Sequence, residues 1–156
     1  MKSWFFCVLA AAVFTACSTI DGRRFQGISV TVRAIDAAVT GKAGLEKYRQ
    51  LLADYDRELA TAKAKAQTTR EHQLVGQYET ARPGLQDILL VWDAREARGS
   101  DMLPMSDTLS ARIAREYNLG VNTNEPPSIY AGEAMQTIWD ATRPKLAAAN
   151  AAAGGG

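Results

Sequence analysis

The sequence is poor in the residues that carry most protein chemistry. Its 156 residues include two cysteines and one histidine. Both cysteines, Cys7 and Cys17, lie in the first seventeen positions. From residue 18 onward there is no thiol, which excludes a disulfide, a cysteine metal site and a thiol nucleophile from that part. A fold there must be held by its core alone. One histidine without cysteine does not make the usual zinc sites. There is no glycine-rich phosphate loop and no Gly-x-Ser-x-Gly elbow. Charge of one sign is never concentrated: the net charge is +1, and no block of like charges occurs. With Lys2 set aside, 17 basic and 17 acidic side chains balance. The basic stripe of a nucleic-acid binder is absent, and no cofactor is expected.

What the chain does have begins at its start. Lys2 is followed by an almost wholly apolar run from Trp4 to Phe14. The run is too short to span a bilayer, which needs ~20 apolar residues. It fits the apolar region of an export signal. The alternative, a buried N-terminal helix, would need a polar face, and no charge falls between Lys2 and Asp21.

The run ends in Phe14-Thr15-Ala16-Cys17. This resembles the lipobox of bacterial lipoproteins, although Phe14 stands where leucine is usual. Phe14 also disfavours ordinary signal peptidase, which wants small residues one and three before the cut. The resemblance implies a signal peptide over 1–16, cleavage between Ala16 and Cys17, and lipidation of Cys17. Ser18 after the cysteine implies transport to the outer membrane, with the protein facing the periplasm. Several acyl chains anchor firmly where one is marginal. Residues 17–27 then read as a lipidated tether.

Beyond the tether the apolar pattern is helical. Ile28, Val32, Ile35 and Val39 share one helix face, although their β-branching leaves a strand from Ile28 to Val32 as an alternative. Gly41 and Gly44 interrupt. Leu45, Tyr48, Leu52, Tyr55, Leu59, Ala62 and Ala66 then form a seam with spacings of three and four. Thr68 and Thr69 offer a break or a cap. Leu74, Tyr78, Ala81, Leu85, Ile88 and Trp92 form a second seam. Pro83 inside it predicts a kink, or a new start capped by Thr80. Gly99 and Ser100 end it, and 99–106 reads as a loop. Ser106 or Asp107 caps a short helix through Leu109, Ile113 and Tyr117, stopped near Gly120 in a left-handed conformation. Residues 120–128 are loop. Ser128 caps a last helix through Tyr130, Ala134, Ile138, Ala141 and Leu146, kinked or frayed by Pro144.

The expected fold is all-α: a small bundle of four to five helices built on a long antiparallel hairpin. The helical domain covers 28–149, and 150–156 read as a disordered tail.

Few side chains compete for a catalytic role. His72 sits in the polar stretch Thr-Thr-Arg-Glu-His-Gln and reads as a surface residue. Asp54 and Glu58 lie four apart beside Arg57, the pattern of a solvated helix face. Asp101 and Asp107 lack the spacing of a calcium loop. Trp92 and Trp139 fall on or beside the seams, near the loops joining helices, as core residues or a ligand platform. Tyr48, Tyr55 and Tyr78 are placed to send hydroxyls to polar partners. The expected function is a non-enzymatic envelope lipoprotein that works through a protein partner or self-association. A periplasmic ligand-binding module lined by Trp92, Trp139 and tyrosines is the rival. An envelope hydrolase is disfavoured by the missing catalytic residues.

Overall fold

The structure is a computed structural model that describes residues 19–41 and 43–154. The apolar run, Ala16 and Cys17 lie outside the described residues, as do Gly155 and Gly156. A 3₁₀ turn over Gly22–Phe25 leads into α1 (Gln26–Thr40), α2 (Leu45–Lys65) and α3 (Thr69–Arg98). A short strand β1 (Met102–Pro104), helix α4 (Thr108–Glu116) and strand β2 (Ser128–Tyr130) follow. The last helix, α5, spans Ala131–Gly154.

Cross-helix pairs fix the helix directions. Arg49 meets Asp93, Asp56 meets Arg82 and Lys63 meets Glu79, so α2 and α3 run antiparallel. Gly84 abuts Thr142, while Tyr78 bonds Asn150, so α5 runs antiparallel to α3. Asp36 meets Arg143 and Gly22 abuts Ala153, which sets α1 antiparallel to α5. The short link over residues 41–44 returns α2 along α1. The four long helices therefore alternate in direction as a four-helix bundle, and β1, α4 and β2 form an insert between α3 and α5.

This bears out the all-α bundle and the helical hairpin, with one change of emphasis. The most extensive packing joins α3 to α5 rather than α3 to α2. Helix α3 touches two neighbours at once, so it buries Leu74, Tyr78, Leu85 and Ile88 and also Val75 and Val91 beside the expected seam. The core runs the bundle's length from Phe25 to Trp139 and is capped by Leu103, Ile113 and Ile129 of the insert.

Several local expectations are corrected. The tether reading ends at Asp21 instead of residue 27. Asp21 caps the 3₁₀ turn by accepting from the Arg23 N–H, and Phe25 is fully buried in the core. Residues Ile28–Val32 are helical, not a strand. Helix α3 continues through Pro83, and Thr80 returns its hydroxyl to the Gln77 carbonyl instead of capping. Pro83 and Glu79 are both exposed, so water can satisfy the carbonyl that proline leaves without a donor. Helix α5 likewise passes exposed Pro144.

Asn118, not Gly120, takes the left-handed turn after α4, with φ 51. Asparagine tolerates that region because its short side chain bonds locally. Ser128 lies in β2 and does not cap α5. Residues 99–106 are not all loop, because Met102–Pro104 pair antiparallel with Ser128–Tyr130. The tail reading fails for 150–154: these residues are helical, Asn150 accepts from Tyr78 and Ala153 is buried against Gly22.

Candidate functional site

The bundle offers chemistry at its two ends. One end gathers the entry of α1, the α2–α3 turn and the close of α5. Its organising residue is Glu71, which is buried on the first turn of α3 with 1% of its surface exposed. Thr68 accepts from the Glu71 N–H at 3.2 Å, and Glu71 accepts from the Thr68 N–H at 3.1 Å, forming a capping box. The same carboxylate accepts from the Gln67 N–H at 2.8 Å and from the Asp21 N–H at 3.2 Å. Arg24 closes the cluster at 2.9 Å. Burial pushes the carboxyl pKa up, yet three backbone N–H groups and Arg24 outweigh it and hold the carboxyl below its usual range. Thr68 is legible in the sequence as a break or a cap, whereas Glu71 is not among the expected site residues. The Thr-x-x-Glu spacing was the signal that marks it.

Two open clefts flank the C-terminal turns of α5 at this end. One, of about 370 Å³, lies among Ile20, Arg70, Gln73, Leu74 and Gln77. The other, of about 320 Å³, lies among Arg23, Gln26, Ser29, Arg33 and Asn150. Both have an arginine on the rim and a partly apolar floor.

The other end carries the insert. Asp87 is buried on α3, accepts from Arg112 at 2.6 Å and from the Tyr117 hydroxyl at 2.9 Å, and so fixes α4 to the bundle. Burial and the Asp87 carboxylate both raise the Tyr117 pKa. Asp101 reaches from the loop before β1 to the start of α5. Its carbonyl accepts from the Ala131 N–H at 2.7 Å and its carboxylate from the Gly132 N–H at 3.2 Å. The cap of α5 thus comes from a residue thirty positions upstream and not from Ser128, the nearest local candidate. Near this end a cleft of about 330 Å³ is lined by Val39, Ile88, Trp92, Met135 and Arg95.

Trp92 and Trp139 are not brought together. Trp92 is half-buried and packs on Tyr48 with ring centroids 5.8 Å apart. Trp139 is buried on α5 beside a separate space of about 160 Å³ between α1 and α5, with Asp36 and Arg143. Its indole N–H has no hydrogen-bond partner among the described residues. The tyrosines of the seams face the core rather than a pocket. Tyr48 donates to the Leu85 carbonyl at 2.9 Å and Tyr55 to the Tyr78 carbonyl at 2.7 Å. Burial raises both hydroxyl pKa values, so they act as fixed donors at neutral pH.

The acidic candidates are bound up in ion pairs. Arg57 meets Asp54 at 2.9 Å and Glu58 at 3.7 Å, Arg95 meets Asp101 at 3.1 Å, and Arg98 bonds Asp107. His72 is exposed on α3. Among the described residues, no three His, Cys, Asp or Glu side chains gather to hold a metal ion, and no helix is long and apolar enough to cross a membrane. No family model, curated protein or solved structure matches the chain.

Proposed function

We propose that the chain is a lipid-anchored bacterial lipoprotein of the cell envelope, with Cys17 as the lipidated residue and Ala16–Cys17 as the cleavage site. The anchor places it on the outer membrane facing the periplasm. The bundle then acts as a non-enzymatic module that works through protein contacts at the end far from the membrane. The sequence Phe14-Thr15-Ala16-Cys17, set two residues before the described domain begins, carries this reading. The chain enters the domain beside Glu71, at the end opposite the insert. Helix α3 alone, at 30 residues and ~1.5 Å per residue, separates the two ends by about 45 Å.

The insert has a surface suited to a partner. Met102, Val121 and Tyr130 are among the few large apolar side chains left exposed. Met102 and Tyr130 are paired across the two strands, and Asn122, next to Val121, donates to the Tyr130 hydroxyl. Aromatic and methionine side chains are favoured at protein interfaces. The expected outcome is that a photoreactive residue at Tyr130 crosslinks to protein in intact cells, while one at exposed Arg57 does not. Equal yields at both positions would overturn the assignment of that surface.

The cleft beside Trp92 and Met135 supports the second reading, a small-ligand module. Its volume suits a small apolar molecule. A Trp92 fluorescence change with apolar probes, lost in Met135→Ala, is the result that would favour it.

A further inference from the structure

We infer that the end of the bundle at which the chain enters is an anionic-phospholipid docking surface, which seats the domain upright on its membrane. The balanced net charge conceals a separation along the bundle axis. Cut at the helix midpoints, the half nearer this end (residues 19–33, 56–83 and 143–154) carries ten basic and five acidic side chains. The rest of the sequence between residues 34 and 142 carries seven basic and twelve acidic. The two sets therefore hold net charges of about +5 and −5 at neutral pH.

The acids of the basic half are already engaged. Arg24 pairs with Asp21 and Glu71, Lys63 with Glu79, Arg82 with Asp56 and Arg57 with Glu58. Arg23, Arg33, Lys65 and Arg70 make no ion pair among the described residues, and all four are exposed. Three of them rim the two clefts at this end: Arg70 one, and Arg23 and Arg33 the other. Guanidinium groups suit phosphate because their fork of donors binds two oxygens at once. Ile20 and Leu74 give the larger cleft an apolar floor that can take the glycerol end of a headgroup.

Charge complementarity and chain path choose the occupant. The apolar run Trp4–Phe14 and Cys17 precede Thr19 by a few residues, so whatever holds the N-terminus to a membrane brings this end to the surface first. The acidic half is then directed away from anionic lipid. This inference rests on the anchored reading for its membrane, but its readout is separate.

The test uses the full chain with vesicles of phosphatidylcholine alone and of phosphatidylcholine mixed with phosphatidylglycerol. A photoreactive residue is placed at Gln73, in the larger cleft, and in a second protein at Val121 in the insert. Lipid crosslinking at position 73 is expected to be at least about fivefold greater on the anionic vesicles, with none at 121, and to fall with added salt. Arg23→Glu with Arg70→Glu should abolish that preference, given about fivefold per basic residue. Arg33→Gln, a milder change at an exposed site, should lower it in the same direction. Equal crosslinking on the two vesicle types, or full preference retained in the double variant, would overturn the inference. Palmitate incorporation at Cys17 reads the anchor alone. A chain that lacks palmitate yet distinguishes the vesicles upholds the surface and refutes the anchor. A lipidated chain indifferent to headgroup does the reverse.

Discussion

Glu71 shows how one residue ties separate chain segments together. Its carboxylate takes donors from Asp21, Gln67, Thr68 and Arg24, so the 3₁₀ turn at the chain's entry, the α2–α3 turn and the start of α3 share one acceptor. We expect Glu71→Gln to lower stability by about 2 kcal/mol at neutral pH, measured by urea unfolding, because donors to a buried charge lose their strong partner. The pH dependence has a definite sign. The folded-state pKa lies below the unfolded value, so the contribution is complete above the unfolded pKa of ~4.3 and fades as pH falls through the folded pKa. The wild-type chain should therefore lose more stability than Glu71→Gln between pH 7 and acid pH. Equal acid slopes in the two proteins would refute this. Gly84 works at the same scale by absence of a side chain. A Cβ there would strike Thr142 Oγ1 and press on its Cβ at 3.2 Å. Thr142 is buried and donates to the Ile138 carbonyl at 2.7 Å, so it has little room to retreat. Gly84→Ala is expected to destabilise by about 1–3 kcal/mol, despite alanine's better helix propensity. An unchanged thermal midpoint would show that α3 and α5 can part without loss.

At the scale of elements, the insert and the last helix depend on long-range bonds. Asp87 holds α4 through Arg112 and Tyr117. Asp87→Ala leaves a half-buried hydroxyl and a guanidinium without their acceptor. Amide exchange across 108–116 should speed up by roughly tenfold or more while the middle of α3 stays protected. Uniform acceleration through α3 would mean that Asp87 supports the whole bundle instead. The close of α5 yields the opposite expectation from that of a loose tail. Removing residues 147–156 deletes buried Ala149 and Ala153 and the Asn150 acceptor of Tyr78. The truncated chain should unfold at lower urea, by about 2 kcal/mol or more. The alanines at this point are small side chains that let α5 lie close to α3 and the 3₁₀ turn. Periodicity located α1 to α5 because each buries a stripe, while β1 and β2 escaped notice because three residues carry no period. The seam in α3 was legible only in part, since a helix with two neighbours buries positions that a single stripe does not include.

Across the whole molecule, the fold sets the chain's entry and its irregular insert at opposite ends. The Cys17→Ala protein is expected to incorporate no labelled palmitate and to leave the membrane fraction while retaining its helical circular dichroism. Label in the variant would show that the anchor lies elsewhere. Little of the proposed surfaces could be read in sequence. Arg23, Arg33, Lys65 and Arg70 are scattered over fifty positions among acids, and nothing in their order shows which of them lack partners. The same holds for Met102, Val121 and Tyr130, which only strand pairing and the Asn122 bond bring together. Cys17 belongs to the other class. Its signal is a short contiguous motif after an apolar run, and it needs no fold to be recognised.

The sequence by itself determined the helix-rich class, the positions of the long helices, a break or cap at Thr68–Thr69 and the lipobox-like motif, because each is written in neighbours three or four residues apart or in contact along the chain. Tertiary structure alone decided that α5 is the main partner of α3, that Asp101 caps α5 from a distant loop, and that Pro83 and Pro144 stay inside helices. It also decided that a neutral chain divides into a basic end and an acidic end. These outcomes follow from packing and pairing between residues remote in sequence, where burial of a shared core outweighs local preference and where a charge counts only by the partner it finds.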